Sequence, residues 1–271
     1  MAFVTVDGVR IFYEMAGSGH PLVFIHGHAL DSRIWQGQME GLRRLYTVIR
    51  YDVRGHGQSE APPTGYSRAH YAAELLGLIN ALDLTKPSLV GHSMGGTVAL
   101  EYALQHADRC STLSLIGSGL EGYSYQESMS ETVNKQKDML RQEGVSEKFL
   151  RVALFSPLYQ GVRQHPEKLA LVRSMLSGWS GASWLDTAVY PKPERTQLER
   201  LRELGVPALV AVGERDLPIF HEVSEALTMG IRVVRKATIP EAGHMAPLEN
   251  PDAVNDILMD FIGGAAGKAL L

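Results

Sequence analysis

A chain of 271 residues, 45 % hydrophobic and 21 % charged, has the make-up of an ordinary soluble globule. It is long enough to bury about three quarters of the surface its unfolded form exposes, without disulfides or metal. A formal net charge of −4 argues against a nucleic-acid surface, which needs a basic excess, and no polybasic run offers itself to a membrane. Cys110 is the single cysteine, which excludes an intramolecular disulfide. With no signal-peptide h-region and no apolar run near ~20 residues, the cytoplasm is the default location.

Taken in chain order, the first sixty residues read as strands and turns. Val9 to Tyr13 has strand composition, and Gly17-Ser18-Gly19 is a turn. Leu22-Val23-Phe24-Ile25 is apolar without alternation, as in a strand covered on both faces, and it stops at His26-Gly27-His28. Tyr46 to Tyr51 is a second such strand, ending at Asp52-Val53-Arg54-Gly55-His56-Gly57-Gln58-Ser59. From Ala69 to Leu84 the apolar residues Leu75, Ile79 and Leu82 recur at helical spacing. The strand Ser88-Leu89-Val90, a glycine-flanked turn, a helix over Thr97 to Gln105 and a strand over Thr112 to Ile116 follow. Such alternation predicts a mostly parallel central sheet with helices on both faces.

The rhythm breaks between about Leu120 and Tyr190. Helical stretches are expected there at Glu131 to Arg141, Glu147 to Leu154 and Pro166 to Leu176, with no convincing strand. It resumes with strands at Ala208 to Val212 and Arg232 to Val234 and an amphipathic helix over Ala253 to Ile262; Gly263 to Leu271 reads as a loosely held tail. Residues 120–190 are accordingly expected to form a helical lid inserted into one core made of residues 1–119 and 191–271.

Gly91-His92-Ser93-Met94-Gly95 is a G-x-S-x-G between a predicted strand and a predicted helix, the context in which that pattern carries meaning. A serine at so sharp a turn projects its hydroxyl above the sheet, and the flanking glycines remove Cβ atoms that would collide. Gly96 lets the helix approach the sheet, and the helix N-terminus offers N–H groups where an oxyanion would form. A serine hydroxyl is a poor nucleophile without an oriented base. Asp216 lies just past the strand Ala208 to Val212, and His244 in Glu241-Ala242-Gly243-His244 past the last strand, at strand ends where sites form in open parallel sheets. Glu214, Glu121 and Glu241 are the alternatives for the acid. A surface histidine and a helix-capping aspartate are the bland readings of each alone; the order Ser, Asp, His speaks for a triad.

These ordered motifs resemble the α/β-hydrolase superfamily over nearly the whole chain. They are His26-Gly27, Asp52-x-Arg54-Gly55-x-Gly57-x-Ser59, the serine elbow, Gly213-x-x-Asp216 and Gly243-His244. The resemblance implies an α/β-hydrolase fold, a Ser93–His244–Asp216 triad, and an oxyanion hole from the backbone N–H groups of His28 and Met94. Asp31-Ser32-Arg33-Ile34-Trp35 and Tyr51 to Gly57 look most like the 3-oxoadipate enol-lactonase and small-esterase group. That implies hydrolysis of a small-molecule carboxylic ester or lactone through an acyl-enzyme.

Two other functions use the same residues: C–C bond hydrolysis of ring-fission products, and ligand-binding signalling by a protein that kept the fold. Ten histidines invite a metal, yet His26 and His28 are two apart and no H-E-x-x-H occurs, so none is expected. Neither a phosphate loop nor a dinucleotide motif is present, and no cofactor is required. His26 is expected to brace the oxyanion loop; His28 either touches substrate or braces the loop too. His56 and His92 belong to turns, and Asp52 with Arg54 is read as a charge pair bracing them. Trp35, Tyr123, Tyr125, Phe155, Trp179 and Trp184 are candidate pocket walls, packing inside the insertion being the alternative.

Overall fold

The structure, a computed structural model, describes residues 2–125 and 127–268, and within these the side chains outside 127–130 and 265–268. The strands are β1 (Ala2–Val6), β2 (Val9–Ala16), β3 (Pro21–Ile25), β4 (Thr47–Tyr51), β5 (Ser88–His92), β6 (Leu113–Ile116), β7 (Ala208–Gly213) and β8 (Val234–Ile239). They form one sheet in the order β1-β2-β4-β3-β5-β6-β7-β8. From β4 to β8 all pairings are parallel, and β2 runs against both its neighbours. Asp7 (φ 48°) and Gly8 (φ 80°) close the β1–β2 hairpin, in the left-handed conformations a two-residue hairpin turn demands.

Helices α1 (Gln36–Leu42), α2 (Arg68–Ala81) and α3 (Met94–Gln105) follow β3, β4 and β5. Between β6 and β7 come α4 (Glu127–Glu143), α5 (Glu147–Leu154), α6 (Pro166–Gly178), α7 (Ala182–Leu185) and α8 (Gln197–Arg200), with no strand among the described residues. Helix α9 (Pro218–Gly230) follows β7, and α10 (Ala246–Glu249) and α11 (Pro251–Lys268) follow β8.

The period of two along each strand divides the core. Leu22, Phe24, Val48 and Leu209 point to one face, against Met39 and Leu42 of α1 and Val254 and Leu258 of α11. Val23, Ile25, Leu89 and Leu115 point to the other, against Leu75 and Ile79 of α2, Val98 and Leu100 of α3 and Leu227 of α9. Burying each such side chain contributes about 1.5–3 kcal/mol, so helices on both faces follow from strands apolar on both faces. The first cluster continues through Phe149, Val172 and Met175 of α5 and α6, which ties the helical segment to the sheet.

Two expectations need correction. The last strand begins at Val234 rather than Arg232, because its register is set by β7, with Ala208 opposite Val234. Gly263 to Lys268 are not a tail but the last turns of α11; residues 269–271 lie outside the described residues.

Candidate active site

Ser93 stands between β5 and α3 at φ 52°, ψ −115°, a left-handed conformation that costs an ordinary side chain of order 1–3 kcal/mol. Three hydrogen bonds hold it. Ser93 N donates to Ile116 O (3.1 Å), and Ser93 O accepts from Gly96 N (3.1 Å) and Gly119 N (3.2 Å). A Cβ on Gly91 would lie 2.3 Å from Gly95 O, and one on Gly95 would lie 2.2 Å from Ile25 O. Both obstacles are backbone, so only glycine fits on either side of His92-Ser93-Met94.

His244 lies in the loop between β8 and α10, and Asp216 three residues past β7. His244 Nδ1 is 3.1 and 3.2 Å from the two Asp216 carboxylate oxygens, and its Nε2 is 3.1 Å from Ser93 Oγ. A carboxylate only accepts, so Nδ1 carries the proton and Nε2 is left to accept from the serine hydroxyl. Both side chains are buried, Asp216 at 8 % and His244 at 4 % exposure, which strengthens the charge–dipole interaction between them. Of the other acids weighed, Glu121 pairs with Arg68 and Glu214 accepts from Glu241 N at 2.9 Å. Asp216 alone of these touches the imidazole.

Four supports of this pair are invisible to motif reading. Glu249 accepts from Gly243 N (2.6 Å) and Met245 N (3.1 Å), clasping the loop on both sides of His244. His92, fully buried at the end of β5, donates from Nε2 to His244 O at 2.8 Å. Phe220 stacks on the His244 ring with centroids 4.0 Å apart. Gly117, at φ 50°, has a Cα position from which a Cβ would sit 3.2 Å from Asp216 Oδ2 and 3.4 Å from His244 Nδ1. The only local hint was glycine closing a strand in Gly117-Ser118-Gly119; nothing near Glu249 marks it.

The loop after β3 is braced as expected of His26. Its Nδ1 donates to Gly27 O (2.8 Å) while Nε2 accepts from Val53 N (2.9 Å), which assigns the tautomer. Gly27 packs on the elbow, since a Cβ there would be 2.8 Å from His92 Nδ1 and 3.2 Å from Ser93 Cβ. His28 therefore follows backbone already in contact with the Ser93 turn, and Met94 opens α3. Asp52 and Arg54 do not pair with each other, a correction. Asp52 accepts from Ser32 N and Gln58 N, both at 2.8 Å, while Arg54 reaches the buried Glu74 of α2 at 2.8 Å. Each already has a nearer partner.

A cavity of about 310 Å³ opens on Ser93 and His244, walled mainly by Phe149, Tyr159, Leu176, Trp179, Trp184 and Phe220. His28 also lines it, stacked on Trp184 at 4.7 Å and edge-on to Trp179 at 4.8 Å, with Nε2 3.3 Å from Ser183 Oγ. Thus it both faces the cavity and braces the helical segment. Trp35, Tyr123, Tyr125 and Phe155 are not in the wall. Trp35 is fully buried below the elbow, 5.0 Å from Phe24 and 6.3 Å from His92. Tyr123 and Tyr125 pack together at 6.0 Å, their hydroxyls engaged by Glu222 and Leu120 N. Phe155, just past the end of α5, is 80 % exposed beneath the Arg163 guanidinium.

The α/β hydrolase fold, as a family, matches residues 20–251 of this chain. The chain belongs to that family. It is 32 % identical to a non-heme haloperoxidase of Rhodococcus erythropolis, over 97 % of this chain and 99 % of the relative. An enol-lactonase from Burkholderia xenovorans LB400 superposes with a TM-score of 0.82 at 25 % identity, covering 97 % of this chain and 100 % of the other. A thermophilic esterase from Thermogutta terrifontis superposes with a TM-score of 0.83 at 29 % identity, covering 97 % of each. Among the described residues of the hydrolase, no helix is long and apolar enough to cross a membrane.

Burial shapes how the hydrolase responds to acid. It pushes the imidazoles of His26 and His56 down, and those of His28 and His92 to about 3. The unfolded chain binds protons at these positions once pH drops below about 6.5, and the folded chain resists, so their contribution to stability is present above that pH and is lost toward 3. Two buried carboxyls act oppositely: burial raises Asp52, and pushes Glu74 to about 7 despite Arg54, so each favours the fold more as pH falls. Burial pushes the half-buried His20 down as well, so five groups against two predict a lower Tm at pH 5 than at pH 7.5 in calorimetry. A Tm that rises on acidification contradicts this balance.

Proposed function

We propose that the hydrolase cleaves small-molecule carboxylic esters or lactones through an acyl-enzyme on Ser93, with residues 120–190 acting as a cap over the cavity. The observation that carries this reading is the unbroken chain Ser93 Oγ–His244 Nε2 and His244 Nδ1–Asp216, ending in a cavity. The enol-lactonase and esterase likenesses support the substrate class.

In this mechanism Ser93 Oγ attacks the carbonyl carbon as its proton passes to His244 Nε2, and Asp216 stabilises the imidazolium without taking the proton. The carbonyl oxygen becomes an oxyanion that accepts hydrogen bonds from the backbone N–H groups of His28 and Met94. Each such donor is worth about 3 kcal/mol in the transition state. Collapse breaks the C–O bond to the alcohol, which leaves with the proton from His244; in a lactone it stays tethered to the acyl chain. Water, deprotonated by His244, then releases the acid. Likeness to the non-heme haloperoxidase favours a second acceptor: hydrogen peroxide in the place of water would release a peracid.

The test is turnover of p-nitrophenyl acetate, p-nitrophenyl butyrate and simple lactones, with and without peroxide. Expected is a burst of about one p-nitrophenolate per chain before the steady state, as acyl-enzyme accumulates. No release above buffer with any ester or lactone would sink the proposal.

A further inference from the structure

Among the described residues, the wall of the 310 Å³ cavity contains no Asp, Glu, Lys or Arg. Lys137 lies over the Trp184 ring at 5.9 Å but is not part of the wall. The wall imidazoles of His28 and His92 are kept neutral near pH 7 by burial. Trp179, Trp184 and His28 present flat faces and edges at mutual centroid distances of 4.7 to 5.0 Å, a geometry that suits another ring. Besides Ser93, Ser156, the imidazoles and the indoles, two polar side chains stand in this lining. Tyr159 is 6 % exposed, and among the described residues its hydroxyl makes no hydrogen bond; burial alone pushes its phenol up. The half-buried Gln136 of α4 likewise has no hydrogen-bond partner for its amide among the described residues. Neither group is sealed off from the cavity it lines, so a ligand atom can supply the hydrogen-bond partner that each lacks.

We propose that the cavity selects an uncharged, flat aryl ester or lactone that carries a hydroxyl or carbonyl group remote from the scissile bond, received by Tyr159 and Gln136. An anionic acyl chain is rejected, because its carboxylate would be desolvated in a wall that offers no counter-charge. This specificity rests on the ester and lactone reading and sharpens it.

The experiment compares kcat/KM for methyl phenylacetate, methyl 4-hydroxyphenylacetate and methyl 4-carboxyphenylacetate at neutral pH. With methyl as the leaving group, the ring is the part large enough to fill the cavity. Expected is a preference of up to about tenfold for the hydroxyl ester over the unsubstituted one, the effect of one added neutral hydrogen bond. The carboxylate ester should fall about a hundredfold or more below it. In Tyr159→Phe and Gln136→Leu the hydroxyl-to-unsubstituted ratio should move toward one. General damage cancels in that ratio, and melting curves show whether either variant fails to fold, in which case the other decides. Carboxylate and neutral esters cleaved within about threefold of each other, or a ratio unchanged in both variants, would overturn the inference. Loss of all Ser93-dependent ester turnover would instead overturn the broader reading.

Discussion

Ser93→Ala is expected to lower kcat for ester hydrolysis by about a millionfold, the scale seen when a triad serine is removed, while leaving the fold in place. The hydroxyl touches only His244 Nε2 among its side-chain partners, so its loss exposes no buried polar group of the core. Alanine keeps the same Cβ at φ 52°, so the strain of the turn is unchanged and the melting temperature should move little. What remains would be the small advantage of cavity and backbone donors over water. Steady-state rates with p-nitrophenyl butyrate, alongside a melting curve, check it. Residual activity within tenfold of wild type would place the nucleophile elsewhere.

Asp216→Asn is expected to cost about 10⁴-fold in kcat with a nearly unchanged KM. The substitution preserves shape but replaces an acceptor with an amide able to donate toward Nδ1. The imidazole proton would then move to Nε2, and Ser93 would face a donor instead of a base. Two features keep this variant foldable: Asp216 N still donates to Gly213 O, and a carbonyl oxygen remains for Leu217 N, which now donates to Oδ1 at 2.7 Å. A loss smaller than about tenfold would mean that another acid orients His244.

Much of this architecture is legible in local chemistry. The non-alternating run Leu22 to Ile25 is fully buried on both faces of β3, and α5 spans Glu147–Leu154 as its periodicity and its Ser146 cap indicate. The elbow glycines are legible because the obstacle to a Cβ is the turn's own backbone or its neighbouring strand. What escapes is decided by chain segments far apart. The position of β4 between β2 and β3 follows from no property of Thr47–Tyr51 alone. Glu249 clasps its loop through contacts four and six residues back, a pattern indistinguishable in sequence from an exposed glutamate ending a helix. Aromatic residues are the plainest case. Trp179 and Trp184 reach the cavity while Phe155, equally apolar, turns outward. Periodicity predicts the buried face of α5, and Phe155 lies one residue beyond it.

The central claim, that an imidazole held by a carboxylate turns one particular hydroxyl into a nucleophile, is tested most directly by covalent labelling. A p-nitrophenyl alkylphosphonate forms an adduct that water does not readily release. Peptide mass spectrometry should find one phosphonyl group per chain, on Ser93, with turnover falling in step with its incorporation. Inactivation with the label on another residue, or full activity with Ser93 labelled, would contradict it.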